Sequence, residues 1–184
     1  MRKSILWSII AGTVVVVAIA ITVFSSGGNQ PSKNDSSESL SFYSSLQYRP
    51  SSYKFEWIES AIASTSKEKM DSPLNCPDSA TEVVNFLSSR GGEKDINGGW
   101  KAYAPTAFYP GSKKVLEPNL RLSGLVFGSP GPRYIRDLGG DFSLGVACTS
   151  AGVEKVESVS YRYISIEPHT GVWSAEPEPS IATH

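Results

Sequence analysis

The chain has 184 residues, 40% of them hydrophobic and 19% charged, with a net charge of −1. Three of the 17 basic and two of the 18 acidic residues precede Leu40, so the remainder carries 14 against 16. A near-neutral body without a Lys/Arg run longer than Lys113-Lys114 lacks the electrostatic footprint of a nucleic-acid binder.

The first segment, residues 5–24, reads ILWSIIAGTVVVVAIAITVF and contains no charge. Twenty residues in a helix span about 30 Å, the thickness of a bilayer's hydrocarbon core. The β-branched run Val14-Val15-Val16-Val17 is a poor helix former in water, but in lipid every backbone group must be satisfied within the segment. Arg2 and Lys3 precede the segment and no charge follows it before Lys33, so the positive flank stays in the cytoplasm and the C-terminal bulk is translocated. The expected layout is a cytoplasmic stub and signal anchor over residues 1–24. Cleavage after Ala18-Ile19-Ala20 is the alternative, and it would leave a secreted protein. The absence of a Cys directly after the apolar run excludes a bacterial lipid-anchored form.

Residues 25–39, SSGGNQPSKNDSSES, hold no large apolar side chain and read as a flexible tether. Asn34-Asp35-Ser36 fits a glycosylation acceptor, a triplet that arises often by chance in such a stretch.

An extracytoplasmic α+β domain is expected over residues 40–175. Residues 40–48 form an opening strand or loop ended by Pro50. Over residues 52–69 the spacing of Phe55, Ile58 and Ile62 predicts an amphipathic helix. Ser79 and Glu82 form a capping box for a second helix, with Val83, Val84, Phe86 and Leu87 as its apolar stripe and Gly91-Gly92 as its stop. The period then changes to two. Strands are predicted at residues 100–104, 119–127, 133–138, 141–148 and 154–167, returning through Pro168-His169-Thr170-Gly171 to Val172-Trp173. Gly139-Gly140 reads as the turn of a tight hairpin. Two helices packed on one face of a mostly antiparallel sheet of about five strands follow from this order. Residues 176–184, with Pro177 and Pro179, are expected to form a loose tail.

The two cysteines, Cys76 and Cys148, lie on the translocated side and suggest one disulfide. It would close a loop of about 70 residues, for which the chain-entropy account gives roughly 4 kcal/mol. A redox pair or a zinc site has little to stand on: there is no C-x-x-C, and His169 and His184 are the only imidazoles.

No catalytic or metal-binding motif is visible, and no cofactor is expected. There is no G-x-S-x-G elbow, phosphate loop or dinucleotide fingerprint. His169 reads as a turn residue, as do Asp137 and Asp141 beside Gly139-Gly140. Glu56 and Glu59, three apart on the expected helix, form the one carboxylate pair able to share acid and base roles.

The aromatic residues are the most distinctive feature. Trp100, Tyr103 and Tyr109 cluster in a Gly/Pro-rich stretch, Tyr161 and Tyr163 share a strand face, and Trp173 lies across the turn. These six form the candidate binding surface; the competing role for Tyr161 and Tyr163 is packing under the helices. The expected function is a membrane-tethered extracytoplasmic binding or assembly module, touching the bilayer through residues 5–24 and an envelope or cell-surface protein through its domain. A carboxylate-dependent hydrolase is the alternative. The layout also resembles that of pilins, which join an N-terminal apolar helix to a disulfide-bearing α+β domain, and this implies a structural subunit. Two departures count against it: no Glu stands near the start of the apolar segment, and Ser26-Gly27-Gly28 interrupts it.

Overall fold

The computed structural model describes residues 38–116 and 118–177. These residues form two β-sheets packed face to face. In chain order the strands are β1 (Glu38–Ser39), β2 (Ser41–Ser44), β3 (Gln47–Arg49), β4 (Ala61–Ser64), β5 (Glu82–Ser89), β6 (Trp100–Phe108), β7 (Val115–Leu116) and β8 (Asn119–Leu120). A 3-10 turn at Leu122–Gly124 and helix α1 (Pro132–Leu138) follow, then β9 (Gly140–Ser150), β10 (Lys155–Ile166) and β11 (Trp173–Ala175).

The larger sheet has seven strands in the order β1-β10-β9-β5-β6-β7, with β11 also pairing β10. All its pairings are antiparallel except that of β1 with β10. The smaller sheet runs β3-β2-β4-β8 and is antiparallel throughout. The core lies between them. Leu40, Phe42, Ala61, Ala63 and Leu120 from the small-sheet side meet Val83, Leu87, Leu144, Val146, Ile164 and Trp173 from the large one. Residues 53–59 stitch the sheets together: Phe55 forms an isolated bridge with Trp173, and the two rings stack at 4.3 Å. Cys76 and Cys148 stand at disulfide distance, with Cα atoms 5.5 Å apart, and tie the segment before β5 to β9.

This architecture corrects the expected α+β fold with two helices on a sheet. Residues 52–69 contain turns and the short strand β4 instead of a helix. The helical spacing there was misleading, because Phe55 is buried while Ile58 is 73% exposed, so the two do not share an apolar face. The second expected helix is β5, with Ser79 and Glu82 outside any helix. Its apolar residues Val83, Val84, Phe86 and Leu87, interrupted by the buried Asn85, fall on both sides because the strand is buried on both faces. Val83 and Leu87 enter the intersheet core, and Val84 and Phe86 enter a second cluster on the outer side. A strand covered on both faces loses the polar alternation that identifies strands.

The third correction is at residues 133–138, expected as a hairpin arm but folded as α1. Pro132 occupies its first turn and Gly139, at φ 63°, ends it. The strand expected over 119–127 shortens to β8 before the 3-10 turn. Among the described residues no helix is long and apolar enough to cross a membrane. The segment expected to do so, residues 5–24, lies outside the described residues, as do most of the tether and the end of the tail. The pilin comparison loses the α+β domain on which it rested.

Candidate functional site

The strand pairings place four of the six aromatic candidates on one surface, the outer face of the large sheet. Phe86 lies opposite Tyr103 on β6 and Gly145 on β9, and Gly145 lies opposite Tyr161 on β10. Tyr103 is bridged in turn to Phe127. One cross-strand row therefore reads Phe127, Tyr103, Phe86, Gly145, Tyr161. The neighbouring row reads Trp100, Ser88, Ser143, Tyr163. Period-two geometry puts residues two apart on the same side, so both rows point outward.

The rings are in contact from Phe86 to Phe127 by way of Trp100 in the neighbouring row. Phe86 and Trp100 stack at 5.0 Å, Trp100 meets Tyr103 at 5.7 Å, and Tyr103 stacks on Phe127 at 5.5 Å. The series leads from the interior to the surface: Phe86 and Trp100 are buried, Tyr103 is half-buried, and Phe127 is 49% exposed beside the still more open Val126. At the other side Tyr161 and Tyr163 lie 5.6 Å apart, and the Arg90 guanidinium sits 4.9 Å from the Tyr163 ring centre. Gly145 is the low point of the row. A Cβ there would fall 2.3 Å from the Ser160 carbonyl oxygen and 2.6 Å from Tyr161 Cβ.

The β5–β6 connection folds over part of this face. Gly92 and Gly99 touch through their backbones: a Cβ on Gly99 would lie 2.1 Å from the Gly92 oxygen. Glu93 is buried there, and its carboxylate accepts hydrogen bonds from Ser143 Oγ at 2.5 Å and from the Gly91 N–H at 2.9 Å. Its carbonyl accepts the Trp100 indole N–H at 2.8 Å. The loop thereby fixes the Trp100 ring against Phe86.

The other two candidates lie elsewhere. Trp173 is fully buried between the sheets against Phe42 and Phe55. Tyr109, 37% exposed, lies in the turn between β6 and β7 and lines a cleft of about 400 Å³ with Leu46, Ile62 and Met70. Leu46 is the most exposed large apolar residue of the described chain, at 76%, and has φ 65° in the β2–β3 turn. Sequence reasoning missed Val126, Phe127 and Leu46. Only the apolar pair beside Gly128 signalled the first two, and nothing local marked the third.

The carboxylate pair does not converge. Glu59 Oε1 accepts from Ser44 Oγ at 2.5 Å and from Tyr53 OH at 2.9 Å, while Oε2 accepts the Glu56 N–H at 3.2 Å. Burial alone would raise its pKa; the bonds from Ser44, Glu56 and Tyr53, with the Arg49 charge, outweigh burial and hold it below the ordinary glutamate value. A general acid requires the opposite shift. Glu56 points to solvent. Among the described residues no cluster of three or more His, Cys, Asp or Glu could hold a metal ion.

In comparison with known proteins, the chain matches no protein family, no characterised protein and no solved structure.

Proposed function

We propose that the protein is a membrane-tethered binding or assembly module whose contact surface is the outer aromatic face of the large sheet. The observation that carries this reading is the gathering of Tyr103, Phe127, Tyr161 and Tyr163 on one face from two strands, β6 and β10, and a bridged loop. Aromatic side chains with one side packed and one side open provide large contact area at small entropic cost, which is why they dominate contact hot spots. The apolar segment at residues 5–24 supplies the anchor, and the Ser/Gly-rich stretch after it lets the domain work close to the bilayer on the outer side. An envelope or cell-surface protein is the expected partner. The hydrolase and the pilin-like subunit are rival readings with no observation in their favour.

The test is co-purification of the full-length chain from its native membrane under mild detergent. Wild type is compared with a Phe127→Ser/Tyr163→Ser variant whose fold is checked by its thermal transition. A partner retained by wild type and lost by the variant supports the reading. Retention of the same partners by both proteins, or of none by wild type, overturns it.

A further inference from the structure

A second surface, on the opposite side of β5 from the aromatic face, carries an independent inference. Asn85 alternates with Phe86 and points toward the small sheet, where its Nδ2 donates to the Asn119 carbonyl at 3.1 Å. It is 93% buried, being only 7% exposed, and its Oδ1 accepts no hydrogen bond from the protein. Buried side-chain acceptors are almost always paired, so an unpaired one at a cleft calls for a donor from outside.

Asn85 lines a cleft of about 340 Å³ that opens between β6 and the β8–3-10 segment. The other polar walls are Ser60, Thr106, Asn119 and Arg121. The Arg121 side chain lies along the wall: its Nε would stand 3.5 Å from a Cβ placed on Gly124. It forms no ion pair or hydrogen bond with any described residue, and no described carboxylate lines the cleft. One unpaired guanidinium, two hydroxyls and one unpaired amide oxygen suit a ligand with a carboxylate at one end and hydroxyl donors at the other.

The backbone argues against a peptide strand in the same place. β6 is bridged to Phe127 at Tyr103 and paired with Leu116 at Ala107, and the residue between them on that edge is Pro105. Pro105 has no N–H, so an added strand would find a donor missing there.

We infer that this cleft binds a small hydroxylated carboxylate of the hexuronate type, with Arg121 pairing the carboxylate, Asn85 Oδ1 accepting from a hydroxyl, and Ser60 and Thr106 exchanging hydrogen bonds with the others. The inference does not depend on the aromatic face.

The experiment titrates sodium glucuronate, glucose and an N-acetylated dipeptide separately into the full-length chain in detergent micelles, followed by calorimetry and saturation-transfer NMR. Saturable glucuronate binding is expected, with glucose about tenfold weaker or worse. Arg121→Gln, a change at an exposed side chain, is expected to weaken glucuronate about tenfold, and Thr106→Val a few-fold, with unchanged thermal transitions. Failure of glucuronate to saturate by about 50 mM, equal affinity of Arg121→Gln and wild type, or dipeptide binding as tight as glucuronate would each overturn the inference.

Discussion

Phe55 and Trp173 lie face to face, 4.3 Å apart and 12° from parallel, and exchange both backbone hydrogen bonds at 2.7 and 2.9 Å. Two residues far apart in sequence thus join the two sheets by ring and backbone together. Trp173→Ala is expected to cost about 3–5 kcal/mol, the range for removing a large buried aromatic side chain. Trp173→Phe should cost distinctly less, because the buried indole N–H has no protein acceptor to lose. Chemical denaturation of the three proteins checks the order.

Reduction of the Cys76–Cys148 link should lower stability by about 2–5 kcal/mol. The two residues are 72 apart in sequence, so the released chain gains a long unconstrained loop. Denaturant midpoints with and without a thiol reductant, and for a Cys76→Ala/Cys148→Ala variant, measure it. Equal midpoints would show that the link contributes nothing.

Glu59 gives the domain a pH dependence with a definite sign. Its folded pKa is depressed, so its contribution is fully present above the unfolded glutamate value, about 4.3, and is lost as pH falls through the folded value. Thermal midpoints recorded from neutral to strongly acid pH should fall over that acid window, and the part due to this residue should vanish in Glu59→Gln. At neutral pH, Glu59→Ala should cost about 1–3 kcal/mol by leaving the Ser44 and Tyr53 hydroxyls without their acceptor.

Gly145→Ala should destabilise by about 1–3 kcal/mol, the usual range for overpacking. The added methyl has no free space, since the Ser160 carbonyl and Tyr161 Cβ already occupy it. A spectrum with native far-UV signal and an unchanged thermal midpoint would contradict this.

The β2–β3 turn offers the reverse experiment. Ser45 and Leu46 both have positive φ, 49° and 65°, in a two-residue turn that favours Asn-Gly. Ser45→Asn/Leu46→Gly should therefore raise stability by about 1 kcal/mol, read as a higher thermal midpoint.

How much of this was legible in the sequence varied with burial. β9 and β10 were plain, because Phe142, Leu144, Val146 and Cys148 alternate with small or polar residues and the partner strand is rich in Val, Tyr and Ile. The cysteine pair was legible from the presence of just two cysteines, read with the expectation of an oxidising compartment. β5 was not, because apolar residues at 83, 84, 86 and 87 satisfy a helical stripe as well as a doubly buried strand, and only the second cluster around Trp100 decides between them. α1 was hidden behind Gly139-Gly140, a pair equally suited to ending a helix or turning a hairpin. Of the site, the Tyr161/Tyr163 face followed from spacing. The union of that face with Tyr103 and Trp100 depends on β5 and β9 lying between them, a long-range pairing that no local pattern encodes.

Arg162 has a consequence of a different kind. This buried residue donates through Nη1 to the Leu40 carbonyl at 3.3 Å, and through Nε and Nη2 to the Glu176 carbonyl at 3.1 and 2.8 Å. Residues close to both ends of the described segment, Leu40 and Glu176, thus meet at one side chain in the middle of β10. A linker of a few residues from residue 177 to residue 38 could close this segment into a ring, and new termini could be opened at the Gly111 turn with the topology preserved. Order along the polypeptide is in this sense separable from the arrangement of its sheets.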